Sequence, residues 1–399
     1  MTATTSVERE DEESPQPSKV RGGRRIRGVS WLTLAAFVAL FVVFGIWLQG
    51  KFLNVDGRML DVHQNAPIYV LGLAEMVVLI AGHVDLSVAS MAGLVSFVVI
   101  ELNNHGVPMA WAMIIGLLIG AVGGVLNSVL VVNLRVNAFI ATIATSGIYD
   151  GVALVSSHGT QVLPEKAPSW FTGVGSLGDF TARIPVWLAW VAYVLVALAL
   201  ARAAQRAVLR RRPRKVAAAA SALLVLVVGV VLATVGPVPG VVRTTSWTVA
   251  VLLVLSLLVW TLTDLTVTGR NMRAIGSNSD AARLAGVRVE RTTLEVFVLA
   301  GVLSAVAGIL LCANQGVASP GATATFLLPA FAAAFLSTSL FSSGSFNTWG
   351  TVIGGVFIVW VAQALIVGGV NFTWTGVVNG LVLALAVAFS SFIRRLVRR

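Results

Sequence analysis

The sequence predicts an all-α, polytopic membrane helical bundle of about twelve transmembrane or re-entrant helices, with both termini cytoplasmic. Three observations predict it. Of 399 residues, 57% are hydrophobic and only 11% charged, against roughly 25% charged in soluble domains. Apolar runs of spanning length recur at 31–49, 66–83, 88–102, 109–132, 138–156, 185–201, 216–235, 246–265, 292–312, 326–342, 348–368 and 374–392. These runs lack the alternation of barrel strands, and backbone groups in hydrocarbon must be satisfied within their own segment, so each run is helical.

Taken in order, residues 1–30 open on an acidic, Ser/Pro-containing stretch from Glu8 to Pro15 and turn basic at Arg21, Arg24, Arg25 and Arg27. Such a segment buries no core and is expected to be a disordered cytoplasmic tail. The apolar run that follows has no small-residue cleavage site behind it, so it reads as a retained first helix and not as a signal peptide. A transmembrane domain then covers 31–392, with an additional helix pair around 201–245 beside the basic cluster Arg210 to Lys215, and 393–399 form a basic cytoplasmic tail. The outside stretch from His158 to Pro185, with Trp170 and Phe171, suits an interfacial helix or a surface for a binding partner.

The basic residues set the orientation. With the N-terminus inside and every run crossing, 23 of the 28 lysines and arginines fall on the cytoplasmic side, leaving Lys51, Arg58, Lys166, Arg183 and Arg243 outside. An odd error in the number of spans would scramble that segregation. The net charge of +11 therefore reads as topology and attraction for membrane lipid, with no nucleic-acid partner implied.

The polar island from Gly269 to Arg291 stands between two long apolar runs, on the cytoplasmic side. Asn278 or Ser279 caps a short helix there, Asp280 lies in its first turn, Arg283 one turn on, and Gly286 ends it. Two turns are marginal in water and need packing to persist. The small residues Ala281, Ala282 and Ala285 let a partner's backbone come close. Either the helix docks a cytosolic protein or it folds onto its own bundle.

Residues Gly269, Arg270, Asn271, Ala274, Ile275, Gly276, Asn278, Ala281, Ala282, Arg283, Leu284, Ala285, Gly286 and Val287 together resemble the cytoplasmic coupling loop of permease subunits of ribose- and xylose-type monosaccharide ABC importers, within the branched-chain amino acid/sugar permease superfamily. The resemblance implies that this loop, 269–291, inserts into a groove of a separate ATP-binding subunit and passes its closure to the bundle. It also implies an extracytoplasmic solute-binding protein, a sugar as substrate, and a homodimer or a heterodimer with a second permease.

A second polar stretch, Ala81 to Ser90, carries Asp85 within an apolar context. Charge at membrane depth is costly, so such an aspartate faces a cavity or a partner, and Gly82 with its polar neighbours breaks the helix, as at the pathways of transporters. Asp85, Leu86, Ser87 and Val88 match the family's Asp-Leu-Ser-Val motif, with His83 and Ala89 where glycines are common. Asn137 to Thr145 resembles the family's Phe-Ile-Ala-Thr stretch, and Phe139, Thr142 and Thr145 are read as one helical face, which either guides a sugar or packs with its hydroxyls bonded back to the helix. The expected substrate path is thus Asp85, Ser87, Asn127, Phe139, Thr142 and Thr145. Thr338, Ser339 and Leu340 keep part of a further family turn without its glycine pairs, a departure from a plain ribose permease.

No catalytic residue, cofactor or metal is expected. Gly45 to Lys51 has the spacing of a phosphate loop, but Phe52 replaces the required hydroxyl residue and no strand precedes it. His63, His83, His105 and His158 lack metal-ligand spacing, and the single cysteine, Cys312, forms no internal disulfide. Three other readings stand beside the importer: an ion-coupled secondary transporter using Glu75, Asp85 or Glu295, a membrane scaffold, and a permease of the same family for nucleosides, branched-chain amino acids or an autoinducer sugar.

Overall fold

The computed structural model describes residues 37–48, 51–175, 183–209, 245–340 and 344–398. The expected tail 1–30, the basic cluster 210–215 and the run 216–235 lie outside them. Among the described residues every other apolar run forms a helix. They are α1 (Phe37–Trp47), α3 (Ala66–Ile80), α4 (Val88–Asn104), α5 (Met109–Ser128), α6 (Ala138–Ser156), α8 (Val186–Leu209), α9 (Trp247–Trp260), α12 (Val289–Gln315), α13 (Leu327–Ser337), α14 (Thr348–Val367) and α15 (Thr375–Arg398). Short π-helical turns extend α5 through Val129–Asn133 and α9 through Thr261–Leu265.

Among the described residues four further α-helices lie between these apolar ones. α7 (Ser169–Gly175) lies in the 158–185 stretch; Trp170 is exposed there and Phe171 is buried. α11 (Ser279–Leu284) is the expected two-turn helix. α2 (Val55–Gln64) and α10 (Val267–Ser277) were not legible from apolar runs, because each is polar on most of its circumference.

Helix α12 is the axis of the bundle. Its flanks are shaped for backbone contact with α4 and α5: a Cβ on Gly120 would collide with the Gly301 carbonyl, one on Gly124 with the Phe297 carbonyl, and one on Gly308 with the Ala92 carbonyl. Within a membrane, where apolar surface has no water to escape, such close approach through small residues is a main source of helix association. α3 is the second buried element, with Leu79 its only residue that is not buried, and its sequence is accordingly apolar almost all round, Glu75 being its one charged residue. α3 separates α12, α4 and α5 on one side from α13, α14 and α15 on the other.

Polar ties join the helix ends in two groups. At one end His63 Nδ1 meets Ser246 Oγ at 2.7 Å, Asn314 Nδ2 donates to the His63 carbonyl at 2.9 Å, Asn104 Nδ2 donates to the Leu163 carbonyl at 2.8 Å, and Val162 pairs with Ala318. At the other end Arg273 pairs with Asp264 at 3.0 Å, and Gly276 abuts the α3 terminus.

Candidate functional site

α3 ends at Ile80 and α4 begins at Val88, so the helix break falls where Gly82 and the polar residues place it. Gly82 adopts φ +81°, a conformation open to glycine at little steric cost. The His83 ring lies against Phe297 with centroids 5.7 Å apart, and Ala89 packs in the first turn of α4. In the turn, Asp85 Oδ1 accepts from the Ser87 backbone N–H at 2.9 Å and from the Ser87 hydroxyl at 2.6 Å. Asn127 of α5 donates through Nδ2 to Ser87 Oγ at 2.8 Å and weakly to Asp85 Oδ2 at 3.3 Å. Thr145 of α6 donates to Asn127 Oδ1 at 2.7 Å.

Four of the six residues expected to line a substrate path, Asp85, Ser87, Asn127 and Thr145, therefore sit together and bond to one another. Asp85, Ser87, Asn127, Thr142 and Thr145 are each at most 2% exposed, and Thr142 is bonded back to the Ala138 carbonyl at 2.8 Å. Asp85, Ser87, Asn127 and Thr145 form a polar brace that ties the α3–α4 turn to α5 and α6. Phe139 departs from the reading that put it on one face with the threonines: it is 52% exposed. At about 100° per residue, a six-residue offset turns it roughly 120° from Thr145.

α10 seats against the start of the α3–α4 turn, where Gly276 meets Ile80, Ala81 and Gly82. The Thr266 hydroxyl caps it by accepting from the Gly269 N–H at 3.3 Å, Met272 and Ile275 are buried, and Arg273 reaches back to Asp264. Gly269 leaves no room for a Cβ beside the Thr263 carbonyl, and Gly276 none beside the Ile80 carbonyl; both are fixed by packing. Arg270 is exposed, while Asn271 and Ala274 are half-buried.

α11 then projects from the bundle. Asn278 Oδ1 accepts from the Ala281 N–H at 2.9 Å, Gly286 closes the helix at φ +84°, and Arg283 pairs with Glu290 of α12 at 2.7 Å. Its two sides differ. Ala282 is turned inward, whereas Ala281 and Ala285 are exposed and Leu284 is 91% exposed. Leu284 entered the sequence reading only as part of the family pattern; its position one turn from Ala281 was the available signal.

Residues 62–387 match the family model described as branched-chain amino acid transport system / permease component. Similar proteins include the xylose transport system permease protein of Escherichia coli strain K12, 30% identical over 92% of each chain. The corresponding protein of Haemophilus influenzae is 29% identical over 90% of this chain and 94% of its own. An autoinducer 2 import system permease protein of Photorhabdus luminescens is 26% identical over 89% of each. No solved structure matches the chain.

Proposed function

Since the chain belongs to the branched-chain amino acid transport system / permease component family, we propose that it is the permease subunit of an ATP-binding-cassette importer for a monosaccharide or similar small polar solute. Relatives named for xylose and autoinducer 2 transport support the sugar class. In this reading the domain spans 31–392, loop 269–291 faces the cytosol, and a pair of permease chains works with two ATP-binding subunits and an extracytoplasmic solute-binding protein.

One observation carries the reading: α11 holds an apolar outer face, Ala281, Leu284 and Ala285, away from its own bundle, while the preceding α10 rests on the turn that contains Asp85. A helix offered outward and anchored inward is what a lever between a motor and a bundle requires. Closure of the ATP-binding subunits would move α10 and α11 as a unit and shift the α3–α4 turn with them, a rigid-body transmission.

The test is co-expression with the ATP-binding subunit and uptake of labelled D-xylose, D-ribose and D-galactose into proteoliposomes containing the assembled complex. Leu284→Glu and deletion of 279–285 should leave the chain inserted but abolish co-purification and uptake. Assembly and ATP-driven uptake that survive both changes would refute the coupling role.

A further inference from the structure

Asp150 did not figure among the expected path residues, yet it is the acidic residue of α6 and lies three positions past that helix's midpoint, Gly147, a rise of about 4.5 Å. α6 is long and apolar enough to cross a membrane, and Asp150 is exposed on it. An aspartate facing acyl chains is among the least favourable placements in a membrane helix, so such a residue faces water, a cavity or a polar partner. Among the described residues Asp150 forms no ion pair.

Its surroundings are organised. The Ser90 hydroxyl of α4 donates to Asp150 Oδ2 at 2.7 Å and lies 2.8 Å from the Ser146 hydroxyl. Because Ser90 has one proton to give, the order of donation runs Ser146 to Ser90 to Asp150. At Gly147 and Gly151 no group beyond the adjoining helix backbone lies within 4 Å of where a Cβ would stand, leaving open space beside the carboxylate. Phe139, off the buried brace, falls on this same open face with Ile143 and Gly147 at four-residue spacing.

We propose that the Phe139–Gly147–Asp150 face of α6 lines the aqueous solute path, and that Asp150 and Ser146 hold a neutral polyhydroxylated solute there. The carboxylate accepts from solute hydroxyls while Ser90 keeps it oriented. The open space at Gly147 and Gly151 admits the ring close to the helix backbone, and Phe139 offers an apolar surface for the C–H face of a sugar further along. The buried brace positions α6 and does not touch the solute. The solute class rests on the sugar-importer reading above.

Substitution of Gly147 by cysteine, which has room there, tests the path in a Cys312→Ala background of the full complex. A membrane-impermeant methanethiosulfonate should label Gly147→Cys, and one or more of D-xylose, D-ribose and D-galactose should slow the labelling. Asp150→Asn should raise the uptake KM about tenfold, the loss of one good hydrogen bond to the solute, while co-purification of the ATP-binding subunit stays as in the parent. Labelling only by a membrane-permeant maleimide, labelling indifferent to every sugar, or unchanged kinetics in Asp150→Asn would each overturn the proposal. Failure of the importer reading itself shows differently, as a parent complex that contains no ATP-binding subunit, and cysteine accessibility does not depend on that subunit.

Discussion

The α-carbon of Gly276, on α10, lies 3.1 Å from where a Cβ on Gly82 would stand, and a Cβ on Gly276 would in turn collide with the Ile80 carbonyl. Two glycines thus form the joint between the exposed 269–291 loop and the turn that carries Asp85. A single methyl forces this joint apart, since overpacking of a tight contact costs about 1–3 kcal/mol. Gly276→Ala is therefore expected to insert and to retain the ATP-binding subunit through the unchanged α11, while uptake per complex falls at least about tenfold. Co-purification and proteoliposome uptake measured on the same preparation check this; parental uptake would show that the joint transmits nothing.

The brace gives a separate expectation. Thr145→Val keeps the shape of the side chain but leaves Asn127 Oδ1 without its 2.7 Å donor in a site closed to solvent. Leaving a buried acceptor unsatisfied costs about 1–3 kcal/mol, so the thermal midpoint of the purified protein should fall. Thr145→Ser, which restores the hydroxyl, should recover most of it. Equal midpoints for the valine and serine variants would mean that packing and not the hydrogen bond holds α6 to the turn.

Glu75 is fully buried in α3, and neither of its carboxylate oxygens makes a hydrogen bond of good geometry, although the Asp85 backbone amide lies beside it. Replacing an unsatisfied buried polar group by an apolar one of similar volume removes a desolvation penalty of about 1–3 kcal/mol. Glu75→Met should raise the thermal midpoint and leave ATP-driven uptake intact. Loss of uptake without loss of fold would instead favour ion coupling through this carboxylate.

A pH dependence is built into α2, outside the spanning segments. Asp61 pairs with Arg58 at 2.9 Å, and burial, the larger influence, raises its pKa to about 6 against the opposing pull of Arg58. The folded state then holds its proton more tightly than the unfolded state does. Stability from this group is full below the unfolded value near 4, falls as pH rises by at most about 1.4 kcal/mol per unit, and is lost above about 6. Thermal midpoints between pH 4 and 7 should show that decline in the parent and a flatter profile in Asp61→Asn. Parallel profiles would assign the dependence to other groups.

Much of the fold was written in one-dimensional pattern. Runs such as 66–83 and 292–312 had to become helices because hydrocarbon leaves backbone groups no other partner. The break at Gly82, the Asn278 cap and the stop at Gly286 were legible because each follows from local backbone chemistry, which neighbours in sequence dictate. α2 and α10 escaped because amphipathic helices at a bundle's ends carry too few apolar residues to stand out from a loop.

By itself, then, the sequence determined the helical class, the order of the apolar helices and the capped helix of the 269–291 loop. Only the tertiary structure decided which polar residues turn inward and which stay open. Asp85 and Asp150 are both acidic residues in apolar surroundings, but the first is enclosed by donors from Ser87 and Asn127 and the second stands exposed with one serine beside it. The same holds for Ala282 against Leu284 on α11. The physical reason is that a helix's sequence fixes the angles between its side chains, whereas the direction in which the whole set points is set by the neighbours it packs against.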